Sequence, residues 1–171
     1  EKTFIEHGDE AFYSNPKFAL ARCDNATPEM LDQLLDLFEK EIQLCIQKNV
    51  NLKYYTEYIF KFVTSLVANP NISKVTYDKA FDLFINHYKL EWNSYIEAFV
   101  LSEHLTKEQL IHILKDHPKG YFICCSNSEK LSILDEHEFA EIVSGYTDNQ
   151  KNWLKTYANS IPTTFIQYLS Y

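Results

Sequence analysis

Glycine is scarce in this chain, with 3 residues in 171, and each of the three, Gly8, Gly120 and Gly145, stands alone. No glycine-rich loop is present to cradle phosphate, which excludes nucleotide binding through a P-loop or a Rossmann turn. Strand-like alternation is nearly absent as well, and the two absences together point to an almost all-helical protein. No run of about 18 apolar residues occurs, so no segment reads as a membrane-spanning helix. No charged, apolar, small-residue leader opens the chain. It starts at Glu1 without a methionine, which reads as a fragment or a processed form. The four cysteines, Cys23, Cys45, Cys124 and Cys125, show no CxxC spacing and no disulfide framework. They read as free thiols in a reducing compartment. Excess positive charge is lacking too: the net charge is −8, against the basic footprint that nucleic acid requires. The acidity fits a basic protein partner or plain solubility.

What the chain does contain is a short block that recurs five times. An apolar or small-residue helix end is followed by a polar turn, a capping residue and a new amphipathic helix. The segments are ALARCDNATPEMLDQLL, SLVANPNISKVTYDKAF, AFVLSEHLTKEQLIHIL, LSILDEHEFAEIV and TYANSIPTTFIQYL. With Thr27, Ser73, Thr106, Asp135 and Ile161 as the caps, position four holds Leu31, Tyr77, Leu110, Phe139 and Phe165. Position seven holds Leu34, Ala80, Ile113, Ile142 and Tyr168, and position eight holds Leu35, Phe81, Leu114, Val143 and Leu169. All are apolar or aromatic at helical spacing, which predicts one buried stripe per helix. Four of the five caps carry a side-chain oxygen that can accept an orphan N–H. Thr106 with Gln109 and Asp135 with Glu138 have the spacing of a capping box. Pro28 and Pro162 stand at first helical positions, and Ile161 is the weak cap.

The pattern predicts helices over 11–23, 28–48, 53–68, 74–88, 90–102, 107–116, 120–126, 136–144, 149–158 and 162–170. The first ten residues read as a flexible arm. On the long helix 28–48 the stripe is Leu31, Leu34, Leu35, Phe38, Ile42, Cys45 and Ile46. Gly145 stands at a C-cap position. No linker is long enough to divide the chain, so residues 1–171 read as a single domain. Its expected fold class is all-α, an irregular helical-repeat, α-solenoid-like array of about ten helices.

Leu66 to Ser73, Ala21 to Leu35 and Tyr157 to Pro162 resemble the variant leucine-rich repeat, a bacterial relative of HEAT-like helical repeats. In that family a helix ends in a phrase such as LAxNPxTPxxxLxxLA. The resemblance spans about residues 12–171, with intervals between caps of 46, 33, 29 and 26 residues. It implies a right-handed superhelix and a protein-binding scaffold role. Some proteins of this kind carry an iron–sulfur cluster beside the repeats; its clustered cysteines are missing here, and no cofactor is expected.

Candidate chemistry is sparse. His112 and Asp116 are four apart on one helix, as are His137 and Glu141, and such pairs can ligate a divalent metal. No third ligand declares itself, HEF around His137 is not HExxH, and the pairs read as solvated surface pairs. No GxSxG is present, and nothing favours a Cys–His nucleophile. An enzyme of unrecognised class would draw on His112, Asp116, His137 and Cys124, but the expectation is that the chain is not an enzyme and binds no metal.

Aromatics are the remaining signal, with 12 Tyr, 12 Phe and 2 Trp. Two clusters stand out. In one, Tyr55, Tyr58, Ile59 and Phe62 share a face; in the other, Trp92, Tyr95, Ile96 and Phe99 do so, flanked by Glu91 and Glu97. Such stripes pack neighbouring helices together. Tyrosines at their edges also suit an interface, because they offer large area and a polar tip. The expected function is a protein–protein interaction module with an acidic, aromatic-lined groove. Its partner-binding residues are Tyr55, Tyr58, Glu91, Trp92, Tyr95 and Glu97, and its partner is a protein with a basic or amphipathic surface. The parent would be a larger bacterial protein, an effector among the options, working in a cytoplasm or a reducing host cytosol. The alternative reading is a small acidic immunity protein that occludes a toxin.

Overall fold

The structure is a computed structural model that describes residues 15–48, 56–87, 93–116, 128–156 and 161–169. Every regular element among these residues is helical. In chain order they are α1 (Pro16–Ala21), α2 (Pro28–Gln47), α3 (Thr56–Val67), α4 (Lys74–Phe81), a π-helical continuation (Asp82–His87), α5 (Asn93–Leu101), α6 (Lys107–Asp116), α7 (Ser128–Leu131), α8 (Glu136–Ser144), α9 (Asp148–Thr156) and α10 (Thr163–Ile166), which ends in a 3-10 turn (Gln167–Leu169). The expected helix at 120–126 and the arm at 1–10 lie outside the described residues. The chain divides into two compact units, Glu1–Leu90 and Glu91–Tyr171.

The helix starts follow from their caps. The hydroxyls of Thr27 and Ser73 accept from the backbone N–H groups of Met30 (3.3 Å) and Thr76 (3.0 Å). Thr106 and Gln109 exchange reciprocal bonds of 3.0 and 3.2 Å, and Asp135 and Glu138 do the same at 2.9 and 2.8 Å. The N-cap of α10 is Pro162, not Ile161, and it makes no side-chain cap bond. That helix lasts a single turn before tightening, as expected where the orphan donors lack a side-chain acceptor. A further reciprocal pair, Thr147 with Gln150, starts α9 and escaped the sequence reading. Asn15 caps α1, its side-chain oxygen accepting from the Lys17 N–H at 3.0 Å.

The turn ahead of four caps is built alike. The N–H of the residue before the cap donates to the carbonyl three residues back: Ala26 to Cys23, Ile72 to Asn69, Leu105 to Ser102 and Leu134 to Leu131. All four of these pre-cap residues are buried. The turn thus closes on itself and drops one apolar side chain into the core. Gly145 does cap α8, but with a right-handed φ of −79°, so its lack of a Cβ is not what the turn requires.

In the first unit, α1 packs on α2 and α3, and α2 packs on α4. Fourteen of the fifteen stripe residues across the two units are buried; the exception is Tyr168, half-exposed, whose hydroxyl donates to Glu136 at 3.1 Å. On α2 the stripe is narrower than expected. Ile46 is 40% exposed and Cys45 half-buried. The centre of this unit is an aromatic stack. Phe38 lies 3.7 Å from Phe62, centroid to centroid and nearly parallel, and 5.4 Å from Tyr58; Phe18 meets Tyr58 edge-on at 5.1 Å. Aromatic pairs of this kind add about 0.5–1.5 kcal/mol beyond the area they bury.

Two asparagines lock the turns of this unit together. The buried Asn69 Nδ2 donates to the carbonyls of Ala21 (2.8 Å) and Cys23 (3.1 Å), while its Oδ1 accepts from the Asn71 N–H (2.9 Å). Asn71 Nδ2 in turn donates to the carbonyls of Asp24 (2.6 Å) and Ala26 (3.1 Å). Carbonyls at the end of α1 that no longer have helical partners are thereby satisfied.

In the second unit, α8 packs on α6 and α10, and the 3-10 turn packs on α8 and α9. Phe139 and Phe165 stack at 4.3 Å. The Tyr146 hydroxyl donates to the Leu114 carbonyl at 2.9 Å, and Lys130 Nζ donates to the Ser102 carbonyl at 2.9 Å. Both donors sit at the carbonyl end of a helix, which favours a donor or a cation.

Candidate protein-binding surface

Of the six residues expected to bind a partner, Tyr58 belongs to α3 in the first unit. It is 8% exposed, flanked by Phe18 and Phe38, with Asn15 Nδ2 donating to its hydroxyl at 3.4 Å. Burial, with the nearby Glu41 carboxylate, pushes its hydroxyl up to about 12. Tyr58 is therefore a core side chain, and its expected place on a wet groove edge is corrected here. Helical spacing alone could not separate the two roles, since the same face serves core and edge. Tyr55, Glu91 and Trp92 lie outside the described residues. Tyr95 falls on α5, whose side chains are described from Ile96 onward, and Glu97 on the same helix is exposed. The neighbouring Ile96, Phe99 and Val100 are buried, so α5 turns an apolar face inward and leaves Glu97 in water.

Three of the groups considered for chemistry are held by neighbouring side chains. His112 Nδ1 lies 2.6 Å from the Asp116 carboxylate on α6. Glu141 is engaged by Lys115 at 2.6 Å, and this contact holds its carboxyl below the usual range. His137 is exposed, and Cys124 lies outside the described residues. Among the described residues, no group of three or more His, Cys, Asp or Glu side chains is placed to hold a metal ion. A shallow cavity of about 300 Å³ opens in the first unit beside Arg22, Asp24, Thr64, Ser65 and Asn69. Arg22 Nε donates to the Ser65 hydroxyl at 3.1 Å across it. The cavity joins one guanidinium and one carboxylate with the Thr64 hydroxyl, which already donates to the Phe60 and Lys61 carbonyls of α3.

Salt bridges tie successive capped helices at matching positions. Asp36, nine residues after its cap, pairs with Lys79, six after its own, linking α2 to α4. Lys115, nine after its cap, pairs with Glu141, six after its own, linking α6 to α8. The positions are the same and the signs are reversed. Lys107 also reaches Glu138 at 2.7 Å, a hydrogen bond that raises the lysine above its ordinary value.

One surface feature escaped the sequence reading. On α2, Met30, Leu37 and Leu44 are 47%, 55% and 54% exposed. They recur every seven residues and form an apolar seam on the flank of the helix away from the stripe. The signal was present as a second seven-residue series, overlooked beside the stronger core series. Among the described residues, no helix is long and apolar enough to cross a membrane. No protein-family model, no curated protein and no solved structure matches this chain.

Proposed function

We propose that the chain is a helical-repeat interaction module, an α-solenoid-like array of the variant leucine-rich repeat kind, which binds another protein and carries no chemistry of its own. The observation that supports this best is the neighbour relation of the capped helices. α2 lies beside α4, α6 beside α8, and α8 beside α10, with alternate helices packed together in each unit. The Asp36–Lys79 and Lys115–Glu141 bridges occupy equivalent positions in the two units. A helical array grows in this way, each repeat burying its apolar face on the next, and it presents a long surface for recognition. A right-handed superhelix is the form this proposal takes.

The partner in this reading has a basic or amphipathic surface, drawn by the net charge of −8. Its contact is placed on the Glu91–Glu97 segment, with Trp92 and Tyr95 as anchors and Glu97 as an exposed carboxylate. A bacterial parent protein, acting in a reducing cytosol, suits the free thiols.

The test is an affinity capture from source-cell and host-cell lysates at low and moderate salt, with wild type and a Tyr95→Ala/Glu97→Lys double variant as baits. The expected result is a basic partner that weakens as salt rises and is lost by the double variant. Capture that survives the double variant removes the site from this segment. Absence of any partner at either salt removes the interaction reading itself.

A further inference from the structure

We propose that the exposed seam of α2 is a self-association surface, on which a second copy of this chain docks with its own α2 antiparallel. This inference does not rest on the acidic-surface reading above and concerns a different helix.

The seam comprises Met30, Leu37 and Leu44 on a 20-residue helix, each about half exposed. Together they leave roughly 300 Å² of apolar side chain in water, about the size of the largest patch on an ordinary monomer. Leu37 is the midpoint, with one apolar residue seven positions to either side. A two-fold axis through Leu37 therefore places Leu37 on Leu37 of the second copy and Met30 on its Leu44. Met and Leu have nearly the same volume, so the seam is its own complement. An exact seven-residue spacing drifts by about 20° per heptad around a straight helix, and two such seams meet at a crossing of about 20°.

The flanks suit a second copy better than a charged partner. On one side of the seam stand Gln33, Lys40 and Gln47, all exposed. The two-fold brings Lys40 opposite Gln33 of the second copy, so the ammonium meets an amide oxygen instead of another ammonium. On the other side stands Glu41, which arrives already paired with Lys17 from α1. No carboxylate is forced against another carboxylate at the seam. One helix face buries less than the roughly 800 Å² per partner of a standard interface, so the contact belongs to the small, weak and transient class.

Salt separates this inference from the acidic-surface reading. Two copies each of charge −8 repel at long range. Added salt screens that repulsion and strengthens apolar contact, so dimerisation rises with salt, whereas capture of a basic partner falls with it.

The experiment is sedimentation velocity on the full chain from about 1 µM to 1 mM, at 50 mM and 500 mM sodium chloride, for wild type, Leu37→Glu and the distant control Val75→Glu. Val75 is 73% exposed on α4. Expected is a mass that climbs from 20.2 kDa toward twice that value for wild type and Val75→Glu, more so at high salt. Leu37→Glu stays at 20.2 kDa throughout, with an unchanged helical circular dichroism spectrum, because the side chain is already 55% exposed. Wild type that remains monomeric at 1 mM in high salt overturns the proposal, and so does a dimer that persists in Leu37→Glu.

Discussion

Asn69→Ala is expected to be among the most damaging polar truncations in the molecule. Asn69 is 4% exposed and its side chain makes three hydrogen bonds, to the carbonyls of Ala21 and Cys23 and from the Asn71 N–H. Each bond contributes about 0.5–1.5 kcal/mol net, and each buried group left unpaired costs about 1–3 kcal/mol. Ala21 is fully buried, so water cannot readily replace the lost donor there. The Cys23 carbonyl keeps its bond from the Ala26 N–H and suffers less. The sum is a destabilisation of about 3 kcal/mol. The companion variant Asn69→Asp keeps the size and the acceptor for Asn71, but turns a carboxylate oxygen toward two carbonyl oxygens. At neutral pH it is expected to fall at least as far as alanine. At pH 4 and below, a protonated carboxyl can donate one bond and recover part of the loss. Urea unfolding of the full chain followed by circular dichroism reads both, and the alanine variant should melt roughly 6–12 °C lower. A cost under 0.5 kcal/mol for Asn69→Ala, or an Asn69→Asp as stable as wild type at pH 7, would refute the clamp.

Three further outcomes follow from the packing. Phe38→Ala removes the ring stacked between Phe62 and Tyr58 and is expected to cost about 3–5 kcal/mol in the same unfolding assay, whereas Leu37→Ala next to it costs under about 0.5. Tyr58, whose hydroxyl sits at about 12 when folded against 10 in a model peptide, contributes stability that is full below pH 10 and lost as pH rises through 12. Stability of Tyr58→Phe measured across pH 9–12 should decline less steeply than that of wild type. Gly145→Ala is expected to be neutral or to gain up to about 1 kcal/mol, since the φ is right-handed and, among the described residues, an added methyl meets the Ile142 carbonyl at an ordinary 3.5 Å. A loss above 1 kcal/mol there would mean that the C-cap does need its glycine.

Much of the local structure was legible in the chain because it depends on near neighbours. A cap, its third residue and the apolar positions at four, seven and eight lie within two turns, and helix geometry alone fixes their mutual placement. Hence α6 and α8 begin and end where the pattern placed them. The N-cap of α10 is Pro162 instead of Ile161, and neither residue has a side-chain acceptor to offer an N–H. The π-helical end of α4, in which Leu83, Phe84 and Ile85 are buried, was not legible, since its apolar spacing does not differ visibly from that of an α-helix. The candidate site was less legible than the fold. Tyr58 and Glu97 both lay in aromatic clusters of helical period, and only packing separates the buried ring from the wet carboxylate.

By itself the sequence determined the helical class, the caps and the core face of each capped helix, because hydrogen bonds and hydrophobic periodicity act over fewer than about ten residues. Tertiary structure alone decided what those helices meet. It assigned Asn69 to the carbonyls of a turn 46 and 48 residues away, Phe38 to a stack with Phe62, and Asp36 to Lys79. It also left Leu37 in water while burying Phe38 beside it. Such pairings depend on which surfaces are brought together after the helices form, and no spacing along the chain encodes that.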